Sequence, residues 1–89
     1  MRKVWIGRNS AESEEGRRIG CEYDILVRES GEALLFESYG IRITLLERGE
    51  VAEVFDITAD AARISALGEL LCRNVVTPFG LQEVLADWL

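Results

Sequence analysis

The hydrophobic period of this 89-residue chain changes once, and that change constrains the fold more than any other feature. In RRIGCEYDILVRE, residues 17 to 29, Ile19, Cys21, Tyr23, Ile25 and Val27 share one side, and Gly20, Glu22, Asp24 and Arg28 the other. Alternation with one apolar face describes a half-buried strand, and only Leu26 interrupts the polar side. The pattern returns in Tyr39, Ile41, Ile43 and Leu45. After Thr58 the spacing lengthens: Ile64, Leu67 and Leu71 form one stripe, and Leu81, Val84, Leu85 and Trp88 another. Steps of three and four residues are the mark of an amphipathic helix. Strands first and helices last do not build the alternating units of a parallel sheet. The expected fold is therefore two-layer α+β: an antiparallel β-meander of three to four strands over 17–57, with a C-terminal helical hairpin over 58–89 packed on one face.

Local signals refine this outline. Residues 2–6 (RKVWI) read as a short first strand and residues 8–16 (RNSAESEEG) as a polar loop. Ser30-Gly31-Glu32 is a turn signal leading into an apolar strand at Ala33–Phe36, and Ser38-Tyr39-Gly40 predicts a bulge or a break. Arg48-Gly49-Glu50 reverses the chain into Val51–Ile57, a loop that would set Ile43 opposite Phe55 and Ile41 opposite Ile57. Thr58 suits a helix N-cap with Asp60 in the first turn, and Asn74 the left-handed position after the helix. Thr77 then caps the last helix, with Pro78 at its first position and Val76 and Leu81 spaced as a hydrophobic staple. Gly68 lies beside the buried stripe, where glycine costs about 1 kcal/mol in helix propensity; close approach to the sheet is its expected reason.

Composition bounds the function. Eighty-nine residues, 48% hydrophobic and 29% charged, fit a single globular domain over residues 1–89. A net charge of −6 with dispersed arginines argues against a nucleic-acid partner. No apolar run reaches the length of a membrane span, and the N-terminal apolar stretch is too short for a signal peptide, so a cytoplasmic location is expected. The chain has no His, which removes the commonest general base and the usual partner of a nucleophilic Ser or Cys. Cys21 and Cys72 have no CxxC spacing and no His beside them, so no zinc site or cofactor is expected, and both read as small buried hydrophobes. Glu22 and Asp24 share a strand face, but exposed acidic alternation is the simpler reading. Glu12, Glu14 and Glu15 lack the spacing of a calcium loop. An enzyme is not the favoured reading.

What remains are apolar residues with no place in the expected core. Leu26 and Leu46 fall on the outer face of the sheet, joined by Leu34 or Phe36, and Phe79 lies across the last helix from Leu81. Trp88 sits on the core stripe instead. Leu26, Leu46 and Phe79 are thus the candidate interface of a protein-interaction or regulatory module, either self-associating or bound to a protein partner. The alternative is a small-molecule-binding protein or accessory enzyme subunit, with Tyr39 and Arg42 as ligand contacts beside the Gly40 irregularity and Arg42 recognising an anion.

The segment Tyr39-Gly40-Ile41, the motif Asn74-x-Val76-Thr77-Pro78-x-x-Leu81 and the ending Leu85-x-x-Trp88-Leu89 resemble a group of small uncharacterised proteins of Firmicutes bacteria, over residues 17 to 89. The resemblance implies a cytoplasmic bacterial domain of unknown function, with no catalytic residues to carry over.

Overall fold

A computed structural model describes residues 1–30 and 36–89. Four antiparallel strands lie side by side in chain order: β1 (Arg2–Glu12), β2 (Arg18–Ser30), β3 (Phe36–Leu45) and β4 (Glu50–Thr58). Two helices, α1 (Ala61–Arg73) and α2 (Leu81–Trp88), follow and pack on one face, joined through a 3-10 turn at Pro78–Gly80. The expected two-layer α+β meander is the observed fold. Its radius of gyration is 13.7 Å, against about 12 Å for a compact chain of this length. The 13-residue β2, about 43 Å when extended, accounts for the 52 Å long axis.

The core follows the alternation. Cys21, Tyr23, Ile25 and Val27 of β2 and Ile41, Ile43 and Leu45 of β3 are buried on the inner face. They meet Ile64, Leu67 and Leu71 of α1 and Leu81 and Leu85 of α2. Each such side chain contributes roughly 1.5–3 kcal/mol by leaving water. Val84 and Trp88 complete the α2 stripe half-buried, and the Arg63 guanidinium of α1 lies 4.4 Å from the Trp88 ring centre, bridging the helices. Gly68 has the expected cause: a Cβ there would overlap Ile6 Cδ1 of β1.

Apart from Thr77, which precedes the 3-10 turn without a side-chain cap bond while Gly80 stands at the N-cap of α2, the structure differs from the sequence expectations in five places. The first strand does not stop at residue 6; β1 runs to Glu12, and only a tight loop remains, with Ser13 N donating to Arg17 O at 2.7 Å. A bulge between Trp5 and Gly7 shifts the strand's register, so its second half turns Gly7, Asn9 and Ala11 inward. Those small and polar residues hide the period that would mark a strand. They have work of their own: Asn9 Nδ2 donates to Cys72 O at 2.8 Å, and Gly7 leaves room for Cys72 Sγ.

Second, the irregularity expected at Ser38–Gly40 is present as a register shift between Tyr39 and Ile41, but β3 itself runs unbroken and the extra residues lie on its partner. Between Ile41↔Val54 and Tyr39↔Thr58, β4 inserts Phe55, Asp56 and Ile57 opposite the single Gly40. Third, the β3–β4 turn is Leu46–Gly49, closed by Gly49 N donating to Leu45 O at 2.8 Å. Ile43 therefore faces Ala52 and Ile41 faces Val54, not Phe55 and Ile57. The three-residue shift is odd, so it exchanges faces and sends Phe55 to the outer side. Residues 31–35, on which the Gly31-Glu32 turn, the strand start at Ala33 and Leu34 fall, lie outside the described residues; β2 continues through Ser30.

The last two differences concern helix ends. Asp60, rather than Thr58, caps α1, accepting from Ala62 N (2.9 Å) and Arg63 N (3.2 Å), while Thr58 Oγ1 accepts from Asp60 N (3.1 Å). At the other end Asn74 has φ −93°, and Val75, at φ 49°, takes the left-handed position. Val76 N donates to Leu71 O (3.0 Å) and Val75 N to Cys72 O (3.2 Å), the paired bonds of a Schellman ending. A β-branched residue is strained there. Val75→Gly is expected to stabilise the protein by about 1 kcal/mol, a rise of about 5 °C in Tm. A fall in Tm in a thermal melt would mean that packing of the Val75 side chain outweighs its backbone strain.

Candidate functional site

The outer sheet face, which no helix covers, was the expected home of the interface. Its central rows are charged: Arg8 pairs with Glu22 (2.6 Å) across β1 and β2, and Arg42 Nε donates to Glu53 (2.7 Å) across β3 and β4. Asp24 lies between Trp5 and Arg42 in the cross-strand register and is 5% exposed, so it is not the solvated carboxylate its alternation suggested. Covering these rows with a second sheet would desolvate several charges at once.

Leu26 is also on this face, yet it is only 1% exposed. The β4 bulge arches over Gly40, its cross-strand neighbour, and reaches β2. There Arg28 binds Asp56 (3.1 Å) and stacks 4.7 Å from the centre of the Phe55 ring. Leu26 therefore offers no surface to a partner, which corrects its place among the interface candidates. Tyr39 and Arg42 are likewise not one site. Tyr39 belongs to the inner face, where its hydroxyl donates to Glu37 (3.1 Å); Arg42 projects from the outer face and is held by Glu53. Alternation through Gly40, Ile41 and Arg42 puts the two on opposite sides.

Leu46 and Phe79, by contrast, come to the same end of the molecule. The β3–β4 turn carries Leu46, 40% exposed, with its N–H on Gly20 O (2.9 Å). Pro78 is buried and starts the 3-10 turn, which turns Phe79 outward, 69% exposed. Between Phe79, the β3–β4 turn and the β1–β2 loop opens a cleft of about 450 Å³, which Leu46 itself does not line. Ile19 and Leu45 form its apolar part, and three arginines (Arg17, Arg18, Arg48) and three glutamates (Glu14, Glu15, Glu47) stand around it with Phe79. Glu47 is committed to Gly20 N (2.8 Å) and Arg48 to Glu50 (3.4 Å), whereas Arg17 and Arg18 make no ion pair with any described residue.

The groups at this end are an aromatic ring, three guanidiniums, three carboxylates and a short apolar floor. Burial pushes the Cys21 and Cys72 thiols up, away from the reactive thiolate, and Cys21 is also raised by nearby Glu47. Among the described residues no group of three or more Cys, Asp or Glu could hold a metal, and no helix is long and apolar enough to cross a membrane. Sequence reasoning did not assemble the cleft, because the β1–β2 loop, the β3–β4 turn and Phe79 meet only through the register. The available signal was the adjacent Arg17-Arg18, unlike the other, dispersed arginines.

Fold and site together define a small α+β protein: a four-stranded meander under two helices, with an aromatic-and-arginine cleft at its loop end. The chain belongs to the family of unknown function DUF6514, whose match spans residues 2–89 and so takes in β1 as well as the motifs further along. No curated protein and no solved structure matches the chain.

Proposed function

We propose that this chain is a bacterial, cytoplasmic protein-interaction or regulatory module that engages a protein partner at the loop end of its sheet, with Phe79 as the apolar anchor. The observation that carries the reading is the exposure of Phe79 beside Arg17 and Arg18, which have no ion-pair partner among the described residues. Aromatic rings and arginines dominate the energetics of protein interfaces, and a ring at the centre of such a patch commonly supplies 2 kcal/mol or more, on the order of thirtyfold or more in affinity. The fitting partner presents an apolar residue for Phe79, carboxylates for Arg17 and Arg18, and a cation for Glu14 and Glu15. Affinity capture from the source cells identifies the candidate, and calorimetry with the purified pair then compares the wild type with Phe79→Asp. Affinity is expected to fall by on the order of a hundredfold, with the far-ultraviolet circular dichroism unchanged. Equal affinity of the two proteins would reject Phe79 as the anchor.

A second reading moves the small-molecule hypothesis from Tyr39 and Arg42 to the cleft, whose volume lies within the roughly 300–1,000 Å³ of ordinary ligand sites. Its ligand would carry an apolar part, an anionic group for Arg17 and Arg18, and a cationic or hydrogen-donating group for Glu14 and Glu15. A thermal-shift screen separates the readings, since a small ligand raises Tm with concentration and a protein partner does not appear in such a screen.

A further inference from the structure

The two edges of the sheet are not alike. An edge strand turns alternate N–H and C=O groups toward solvent and can accept another strand unless something prevents it. On β4 much prevents it: the bulge over Phe55–Ile57 removes the regular edge, and Glu50 and Glu53 would face like charges if two copies paired there. The first half of β1 is different. Val4 on the inner face is 42% exposed and Trp5 on the outer face 55%, so this strand is apolar and uncovered on both sides. Among the described residues no strand lies beyond it. Arg2 is tied to Glu37 (3.0 Å) and Arg8 to Glu22 (2.6 Å), while Lys3, on the outer face with Trp5, has no ion-pair partner among the described residues. The contacts of α1 with β1 fall further along, at Ile6, Gly7 and Asn9, and leave this segment clear.

We propose that β1 is a self-association edge: Arg2–Ile6 pairs antiparallel with the same segment of a second copy, making one continuous eight-stranded sheet. A twofold axis normal to the sheet keeps inner face with inner face and outer with outer, so only registers pairing residues of equal parity are allowed. Centred on Lys3, the pairing would oppose two ammonium groups. Centred on Val4, it sets Val4 against Val4 and, on the outer face, Lys3 of each copy against Trp5 of the other. That arrangement gives each free cation an aromatic face and covers both exposed apolar residues. The bulge at Ile6 ends the ladder, which makes the contact short and the dimer concentration-dependent. This association is independent of the cleft: it uses the opposite end of the β1 strand and none of the residues around Phe79.

Sedimentation velocity over a range of protein concentrations tests it. The wild type is expected to show a monomer–dimer equilibrium. Trp5→Lys, which opposes two ammonium groups twice in each dimer, is expected to raise the dissociation constant by about tenfold or more. The double variant Lys3→Glu/Trp5→Lys places opposite charges across the same pair and is expected to restore the dimer. Lys3→Glu alone gives an independent weakening through a side chain that holds no ion pair in the fold, and Phe79→Asp should leave the dimer intact. Circular dichroism confirms folding of each variant. A protein that stays monomeric throughout, a dimer indifferent to Trp5→Lys, or a double variant that fails to re-associate would each overturn the pairing.

Discussion

Tyr23→Ala is expected to bring the protein close to unfolding at room temperature. The ring is fully buried at the centre of β2, and its hydroxyl donates to Val76 O (2.8 Å) in the link between the helices. Removing a buried aromatic side chain costs about 3–5 kcal/mol, a large part of the roughly 4–13 kcal/mol available to a chain this long. Tyr23→Phe keeps the ring and leaves the Val76 carbonyl without this donor, for about 1–3 kcal/mol. Urea titrations of the three proteins give the comparison; an Ala variant no worse than the Phe variant would deny the ring its place in the core. Burial also raises the ionisation of Tyr23 above its ordinary 10.0, and that of Cys21 and Cys72 above 9.0. Groups whose folded pKa is raised contribute stability that is whole below their unfolded pKa and is lost as pH rises through the folded one. Stability should therefore begin to fall above pH 9.0, and Tyr23→Phe should flatten the part of the decline above pH 10.0.

Gly40→Ala is expected to destabilise by about 3 kcal/mol, an outsized effect for one methyl group. A Cβ at this position would overlap the Val54 carbonyl oxygen and stand 2.9 Å from Phe55 Cα, and backbone cannot swing aside as a side chain can. The bulge would have to lift, releasing Arg28 from Asp56 and Phe55 and opening Leu26 to water. Arg28→Ala offers a milder comparison, since exposed ion pairs contribute about 0–1 kcal/mol. Unfolding curves for Gly40→Ala that superimpose on the wild type would mean that the bulge does not close over Gly40 in solution.

The parts of the fold legible in the sequence are those where one period runs undisturbed. Ile19 to Val27 and Tyr39 to Leu45 gave the inner face, and Ile64, Leu67, Leu71, Leu81 and Leu85 the helix stripes. The failures gather at irregularities. The bulge after Trp5 erased the alternation of β1, and the three residues inserted opposite Gly40 moved Phe55 across the sheet. Leu26 shows the consequence for function: correctly placed on the outer face, it is nonetheless buried, beside the Gly40 position over which the β4 bulge closes. Phe79 was legible because buried Pro78 and the α2 stripe fix its direction, while the cleft beside it needed the register of two distant turns.

The Asn9–Cys72 and Tyr23–Val76 hydrogen bonds hold the helices to strands made much earlier in the chain. During synthesis each strand of the meander emerges next to its already extruded neighbour, so hairpins can zip as the ribosome proceeds. None of them can keep its apolar face dry until the helices follow, because Ile64, Leu67, Leu71, Leu81 and Leu85 pack on it. The nascent chain thus carries Ile25, Ile41 and Ile43 uncovered until the helices follow them out of the ribosome. The core is in that sense closed late, by the helices rather than by the strands that supply most of its residues.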